Sequence, residues 1–333
     1  MGEAAAATGA TSHEEATGLV GLAKATVARP EFVSFVALIV LMVLTSFMNE
    51  NFFTLDNLLN ITRQVSTTGI IAVGMTFVIL TGGIDLSVGA IVALASTLMA
   101  GMIANMGFPF WLASLIAILG GAATGAVSGF FIARFALPPI IVTLAMMEIP
   151  RGLGLIYTNG YPLPIDREFG FIGREYVLGL PIPTLIMLIV FAAAYFVLNR
   201  LPIGRYVYAV GGNEDAAILS GIRTARIKLM VYAVSGFTAA IAGMIQTSRL
   251  LSGQPNSAIG VELDAIAAVV LGGTAITGGR GHIVGTLIGA LLLGVLNNSL
   301  NMIGLSPYSQ RVVKGIILLV AVLIGYLRKQ NSR

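Results

Sequence analysis

Residues 86–133 read LSVGAIVALASTLMAGMIANMGFPFWLASLIAILGGAATGAVSGFFIA and contain no Asp, Glu, Lys or Arg. An α-helix needs about 20 consecutive apolar residues to cross the hydrocarbon core of a bilayer, which is about 30 Å thick. This stretch is long enough for two crossings. It predicts membrane-spanning helices at 86–105 and 110–134.

The same pattern recurs along the chain. Four further stretches lack charged side chains, at 32–49, 176–199, 229–248 and 283–310. Only 10% of the 333 residues are charged and the mean hydropathy is +0.92, whereas soluble proteins carry about 25% charged residues. The composition indicates an all-α polytopic membrane protein. It excludes soluble enzymes, nucleic-acid-binding proteins, disordered proteins and fibrous proteins.

Length and hydropathy predict ten spans, but the eighth and tenth are short, so eight and nine spans stay open as alternatives. The ten lie at 32–48, 58–81, 86–105, 110–134, 138–157, 180–199, 226–250, 263–278, 282–302 and 312–327. Residues 1–31 are predicted to form a disordered cytoplasmic tail, 32–327 the transmembrane domain and 328–333 a second cytoplasmic tail.

The distribution of basic residues predicts the orientation. With ten spans and a cytoplasmic N-terminus, twelve Lys and Arg residues fall on the cytoplasmic side and five on the outer side. Cytoplasmic loops of membrane proteins carry an excess of Lys and Arg. Both termini are therefore predicted to be cytoplasmic.

Residues for metal binding or covalent catalysis are scarce. The chain has no cysteine and only two histidines, His13 and His282, far apart in sequence. This composition excludes a disulfide framework and a thiolate metal site. We expect no bound metal and no catalytic residue.

The longest polar interruption, about 200–228, contains a segment typical of a short amphipathic helix. A cap, two acids that favour the N-terminal dipole and a terminating glycine are present at Asn213, Glu214, Asp215 and Gly221. One apolar face would consist of Ile218, Leu219 and Ile222. The segment is either an ordinary connecting loop or a docking helix that fits a groove on a cytosolic partner.

Two glycine-flanked loops, at 81–87 and 271–281, interrupt apolar stretches. The first contains the candidate gate residues Gly82, Gly83, Asp85 and Ser87. Asp85 either caps the following helix or forms a gate contact. Glycines spaced by four, at Gly121, Gly125 and Gly129 and at Gly285 and Gly289, predict close helix packing within one subunit or between subunits.

Polar side chains at helical spacing form two stripes. The second span carries Asn57, Asn60, Gln64, Thr67 and Thr68, and the ninth carries Asn297, Asn298 and Asn301. Amides and hydroxyls can bind a solute's hydroxyl groups without the cost of burying a charge. The stripes either line a substrate pathway, join helices through polar contacts or lie at the membrane interface.

The segment 211–222 resembles the cytoplasmic loop by which importer permeases of the ATP-binding cassette (ABC) class engage their ATPase. A Glu-Ala-Ala…Gly element recurs in that loop. Here Asp215-Ala216-Ala217 followed by Gly221 has the same spacing, with Asp in place of Glu. Glu214 is the matching acid if the register shifts by one residue.

Other stretches of that family occur in the same order. They are Val73-Gly74-Met75-Thr76, Ile79–Gly89, Tyr157-Thr158-Asn159-Gly160, Gly204-Arg205-Tyr206, Glu262–Thr274, Gly285–Ala290 and Leu296-Asn297-Asn298. The resemblance covers about residues 35–327 and is greatest to the ribose-type permeases of bacterial monosaccharide importers.

The resemblance implies the BtuC-like, type II ABC importer permease architecture with inverted-repeat halves, assembled as a homodimer in the bacterial cytoplasmic (inner) membrane. It implies a cytoplasmic ATPase subunit, a periplasmic sugar-binding protein, and transport of ribose or a similar monosaccharide by alternating access. ATP and Mg²⁺ would bind to the ATPase, since this chain has no Gly-x-x-x-x-Gly-Lys-Ser/Thr phosphate loop.

The resemblance also implies sites. ATPase-coupling contacts would come from Gly212, Asn213, Glu214, Asp215, Ala216, Ala217, Leu219 and Gly221. The substrate pathway would include Asn57, Asn60, Gln64, Thr68, Asn297, Asn298 and Asn301. Glu262, Asp264 and Arg249 would contribute to the outer surface that receives the binding protein.

Two other classes remain to be compared. An ion-coupled secondary transporter usually holds an ionisable residue near the bilayer midplane, and Glu148 is the candidate in this chain. We expect instead that Glu148 pairs with Arg151 or lies near the outer end of its span. An intramembrane enzyme is disfavoured by the lack of His-Glu-x-x-His, Gly-x-Ser-x-Gly and paired intramembrane carboxylates.

Overall fold

The computed structural model describes residues 30–330. Most of the predicted N-terminal tail and the last three residues of the predicted C-terminal tail lie outside this range. Within it the chain is almost entirely helical. The helices are α1 (Pro30–Met48), α2 (Leu55–Leu80), α3 (Val88–Met106), α4 (Phe110–Phe135), α5 (Pro139–Thr158), α6 (Phe171–Arg174), α7 (Ile182–Arg200), α8 (Pro202–Gly212), α9 (Glu214–Leu219), α10 (Thr224–Leu250), α11 (Val261–Leu271), α12 (Ile283–Met302) and α13 (Pro307–Gln330).

Eight helices in the described range are long and apolar enough to cross a membrane: α1, α2, α3, α4, α5, α7, α10 and α12. Each coincides with a predicted span, so the polytopic all-α class is confirmed. The tenth predicted span lies within α13, a helix of 24 residues. The total of ten crossings stays a prediction.

The eighth predicted span, 263–278, is not one continuous helix. Its helix, α11, has only 11 residues, about 16 Å at 1.5 Å per residue. It ends at Gly272, and Gly273 then takes a φ of +90°. Glycine adopts such left-handed conformations without steric cost and commonly ends helices. Residues 272–282 continue as a loop.

Short strands occur at the end of the bundle where α5 ends and α7 begins. Strand β1 (Leu163–Pro164) pairs antiparallel with β4 (Ser252–Gly253), and β2 (Tyr176–Val177) forms a hairpin with β3 (Leu180–Pro181). A 3₁₀ turn at Arg167–Gly170 lies between β1 and β2. Together these elements cover the end of the bundle opposite α9.

The interior of the bundle is formed by α2, α3 and α10. Their side chains are largely buried, whereas α1 exposes apolar residues such as Phe35, Leu44 and Phe47. An apolar exterior around a packed interior is the arrangement expected for helices surrounded by lipid. Helix α10 is central among the buried helices, since it contacts α2, α3 and α4.

The glycine stripe of α4 packs within the chain. An added Cβ at Gly121 would overlap Ala240 of α10, and one at Gly125 would overlap the backbone of Tyr232. Reciprocally, Gly236 of α10 faces the backbone of Gly121. The two backbones are therefore in direct contact, as small residues at a spacing of four permit. This confirms the prediction of packing inside one subunit.

Candidate functional site

The docking segment, residues 212–221, contains the predicted short helix as α9. The side chain of Asn213 caps it and accepts a hydrogen bond of 2.9 Å from the backbone N–H of Ala216. At its other end Gly221 has a φ of +81°, and the Ile222 N–H donates to the Ala217 carbonyl at 3.0 Å. Both helix ends are thus fixed by local hydrogen bonds.

The exposed surface of the docking segment carries two apolar side chains. Leu219 is 89% exposed and Ile218 is 53% exposed, while Ala217 is buried against the rest of the chain. Ile222, predicted on the same face, is half-buried instead. Large apolar side chains held out on a fixed helix are typical of a surface that a partner covers.

The two acids of the segment have different surroundings. The Oε1 atom of Glu214 lies 2.6 Å from Nζ of Lys228 in α10. Asp215 is exposed, and no ion pair involving it occurs within the described residues. Glu214 therefore joins the docking segment to α10, and Asp215 is the acid that faces outward.

The two glycine loops and the end of α8 meet at one place, the glycine junction, formed by Gly82, Gly211, Gly278 and Gly279. The Gly279 N–H donates to the Leu80 carbonyl at 2.9 Å, and an added Cβ at Gly211 would overlap that same oxygen. The docking segment directly follows this junction in the chain. The ends of α2 and α8 are thereby in backbone contact with the loop that precedes α12.

Asp85, in the first glycine loop, is fully buried and anchors the start of α3. Its Oδ1 accepts hydrogen bonds from the Ser87 N–H at 3.0 Å and the Ser87 hydroxyl at 2.6 Å, and its Oδ2 accepts one from Ser235 of α10 at 2.7 Å. Burial raises the pKa of the Asp85 carboxyl, and these hydrogen bonds oppose that rise. The N-cap of α3 is Ser87, and no side chain makes a capping bond there, so Asp85 instead fixes the loop before the helix and ties it to α10.

A polar cavity of about 290 Å³ lies between α2, α10, α11 and α12. Its lining includes three residues of the predicted polar stripe of α2, Gln64, Thr67 and Thr68, and one of the α12 stripe, Asn297. Apolar side chains such as Val65 and Leu293 complete the wall. Cavities that combine an apolar wall with a few placed polar groups are typical of small-molecule sites.

Asn297 has a free hydrogen-bond acceptor. Its Oδ1 atom is buried and has no hydrogen-bond partner among the described residues. A buried polar atom without a partner is costly, and a ligand or water that donates a hydrogen bond removes that cost. Asn297 thus places an unsatisfied amide oxygen in a residue of the cavity wall.

The remaining predicted pathway residues lie elsewhere. Asn57 and Asn298 bond to each other, with Nδ2–Oδ1 distances of 3.2 and 2.7 Å, and so join α2 to α12. Asn60 is exposed, and Asn301 accepts a hydrogen bond of 2.7 Å from Gln310. The two stripes do meet, but only part of each borders the cavity.

Three polar cavity residues were not predicted as pathway residues: Gln246, Arg249 and Asp264. Gln246 is a polar residue within the charge-free stretch 229–248. That position was the sequence signal that could have predicted it as a cavity residue. Asp264, expected on an outer docking surface, is half-buried and pairs with Lys314 of α13 at 3.0 Å. Its charge in the cavity wall is therefore compensated.

The expectation for Glu148 is wrong on both counts. Glu148 lies near the middle of α5 and is exposed, rather than near a helix end. Arg151 donates to the carbonyls of Ser257 at 3.2 Å and Pro255 at 3.5 Å, and no Glu148–Arg151 ion pair forms in the described range. The loop that follows α10 supplies the carbonyl acceptors for Arg151. These carbonyls are more than 100 residues away in sequence, so the sequence did not predict the contact.

Comparison with known proteins gives consistent matches along the chain. The family model described as "Branched-chain amino acid transport system / permease component" matches residues 57–322. The ribose import permease protein RbsC of Haemophilus influenzae is 50% identical over 295 residues, covering 87% of this chain and 91% of that protein.

Two further relatives are similar over the same region. RbsC of Bacillus subtilis is 50% identical over 301 residues, which is 90% of this chain and 92% of that protein. The L-arabinose transport system permease protein AraH of Escherichia coli is 37% identical over 298 residues, 88% of this chain and 90% of that protein. No solved structure matches the chain.

Proposed function

Because the chain belongs to the permease-component family that includes the ribose import permeases, we propose that it is the membrane-spanning permease subunit of an ABC importer for ribose or a similar monosaccharide. It would accept the sugar from a periplasmic binding protein and release it into the cytoplasm. A cytoplasmic ATPase subunit would bind and hydrolyse ATP, and this chain would supply the pathway.

The docking segment is the observation that carries this proposal. Leu219 projects almost fully exposed from a helix whose two ends are fixed, beside the exposed acid Asp215. An ion-coupled transporter needs no such partner surface, and Glu148, its candidate coupling residue, borders neither the cavity nor the docking segment. We therefore favour the ATP-driven importer over the ion-coupled alternative.

The cavity supports a hydroxyl-rich substrate, although Arg249 adds one cationic group to its wall. Gln64, Gln246 and Asn297 present amides and Thr68 presents a hydroxyl, groups that both donate and accept hydrogen bonds. The one carboxylate in the wall, Asp264, is paired with Lys314. We propose that a sugar passes this cavity with weak, exchangeable hydrogen bonds while the binding protein supplies selectivity.

Coupling would proceed through the glycine junction. A movement of the docking segment is transmitted to α8, whose Gly211 contacts the ends of α2 and of the 272–282 loop without intervening side chains. In parallel, the Glu214–Lys228 pair moves α10, whose far end carries Gln246 and Arg249 at the cavity. These two connections would link ATPase closure to reorientation of the cavity walls.

We also propose a homodimer whose interface includes the exposed face of α5. A carboxylate at the centre of a spanning helix costs about 2.5–3.5 kcal/mol when it faces lipid, and Glu148 is exposed there beside Ile149. A second copy that covers this face removes the exposure to lipid. With the predicted excess of basic residues on the docking side, both termini would be cytoplasmic.

Co-expression of the chain with its cognate ATPase tests the proposal. The ATPase should co-purify, and Gly221→Trp or the double change Glu214→Lys/Asp215→Lys should abolish its binding. Reconstituted with the ATPase and the sugar-binding protein, the complex should take up sugar only when ATP is present. Uptake by the chain alone in liposomes without an ATPase would contradict the proposal.

A further inference from the structure

A second, larger concavity lies on the outer wall of the bundle, between α1, α7 and α12. This lateral groove has a volume of about 770 Å³ and is lined by residues of those three helices. Its volume is within the range of small-molecule sites, about 300–1,000 Å³. It is separate from the polar cavity, with which it shares no lining residue.

The polarity of the groove changes along its length. Glu31, Asn199 and His282 lie at the ends of their helices: the first turn of α1, the last turn of α7 and the N-cap of α12. Phe35 and Ile288, about one turn or more further along α1 and α12, are apolar. The groove therefore has a polar rim at the level where the helices end and an apolar floor within the membrane-spanning part.

This gradient matches an amphipathic molecule oriented like the lipids of one leaflet. The groove is formed by three membrane-spanning helices, so its apolar floor is reached from the bilayer. Tyr195, which also borders it, is a residue type enriched at the membrane interface. A lipid with its acyl chain on the apolar floor and its headgroup at the polar rim would match both parts of the groove.

The rim determines the headgroup chemistry. Glu31 supplies a carboxylate whose Oε1 lies 3.6 Å from Nε2 of His282. The Nδ2 atom of Asn199 donates to the Tyr195 carbonyl at 2.9 Å, which leaves the Asn199 Oδ1 as an acceptor. No Lys or Arg is among the described residues that line the groove. The rim thus offers acceptors for a cation, and its single imidazole lies beside the Glu31 carboxylate.

We propose that the lateral groove binds a zwitterionic phospholipid with a primary ammonium headgroup, phosphatidylethanolamine, whose ammonium donates to Glu31 and Asn199. The phosphate lies toward His282 and one acyl chain lies along Phe35 and Ile288. An anionic lipid such as phosphatidylglycerol lacks the ammonium and faces the Glu31 carboxylate instead.

The single tryptophan of the chain makes a clean fluorescence test possible. Trp111 is exposed on α4, away from the groove, so the wild-type chain reports on bulk lipid contact. The double variant Trp111→Phe/Phe35→Trp places the reporter in the groove. Each protein is reconstituted in phosphatidylcholine vesicles that contain either brominated phosphatidylethanolamine or brominated phosphatidylglycerol, and quenching is measured.

We expect the Phe35→Trp reporter to be quenched at roughly tenfold lower content of phosphatidylethanolamine than of phosphatidylglycerol. Trp111 in the wild-type chain should show no preference. Glu31→Gln in the reporter background should remove the preference, and Glu31→Asp should retain it. Glu50→Gln, at the other end of the first span, is the matched control and should leave the preference unchanged.

Two results would overturn the proposal. Equal quenching of the reporter by both lipids would show that the rim does not select the ammonium headgroup. An absence of quenching by either lipid would show that protein, such as a second copy of the chain, occupies the groove. Neither result bears on ATPase docking, so the proposed function is tested separately.

Discussion

The ammonium group of Lys228 lies 2.6 Å from the carboxylate of Glu214, and this ion pair joins the first residue of the docking helix to α10. It assigns different roles to the adjacent acids Glu214 and Asp215. Glu214 holds the segment to its own chain, and Asp215 is free to meet a partner. This contrast favours Asp215 as the matching acid of the Asp-Ala-Ala element, which stays a prediction.

A charge exchange tests this assignment. Glu214→Lys should weaken ATPase co-purification, because two ammonium groups then face each other, and adding Lys228→Glu should restore it. Glu214→Gln, which only removes the pair, should weaken binding by at most about fivefold, since partly exposed ion pairs contribute up to about 1 kcal/mol. Lys228→Glu should not rescue Asp215→Lys. Equal rescue of both lysine variants would refute the assignment.

The glycine junction predicts a severe effect from a single methyl group. Gly211→Ala should abolish transport, because its Cβ would overlap the Leu80 carbonyl oxygen and separate α8 from α2. Gly120→Ala, at a helical glycine with open space around it, should leave sugar uptake and thermal stability near wild type. ATP-driven uptake in proteoliposomes and the amount of folded protein give the comparison. Normal uptake by Gly211→Ala would rule out the junction as a contact point.

Adjacent amides on α12 should respond differently to the same change. Asn297→Leu should leave thermal stability unchanged or higher, because it removes a buried atom without a partner, and should raise the KM for transport by about fivefold. Asn298→Leu should lower stability by about 1–3 kcal/mol, since Asn57 loses its partner. Thermal unfolding and uptake kinetics measure both. The reverse pattern would exclude Asn297 from the pathway.

The absence of cysteine allows a direct test of the dimer face. Ile149→Cys introduces one thiol on the exposed face of α5, and mild oxidation in membranes should give a disulfide-linked dimer. Phe196→Cys, exposed on α7, is the control and should stay monomeric on denaturing gels. A dimer formed only by the control would place the interface elsewhere.

Local interactions made part of this architecture predictable from the sequence. The docking helix is predictable because Asn213 caps it and Gly221 ends it through bonds within one or two turns. The apolar stretches likewise predict the eight helices that are long enough to cross a membrane, because hydropathy is also a local property. Residues 263–278 were misassigned because hydropathy does not distinguish a spanning helix from a short helix followed by a glycine loop.

Non-local contacts limited the site predictions. Nothing near Gln246 in sequence shows that it faces Gln64 across a cavity. Glu148 and Arg151 have the spacing of an ion pair, yet Arg151 binds carbonyls about a hundred residues away. Asn297 and Asn298 have the same chemistry, and only the rotation of α12 assigns one to the cavity and the other to helix pairing.

The contact between the backbones of α4 and α10 has a mechanical consequence. Gly121 and Gly125 sit directly on α10, with Gly236 facing back, so no layer of flexible side chains lies between the helices. If α4 shifted by one residue along α10, a side chain would clash with the facing backbone. The two helices are therefore expected to move together as a rigid body. Any bending would then fall in loops such as 272–282, where glycines take conformations that other residues avoid.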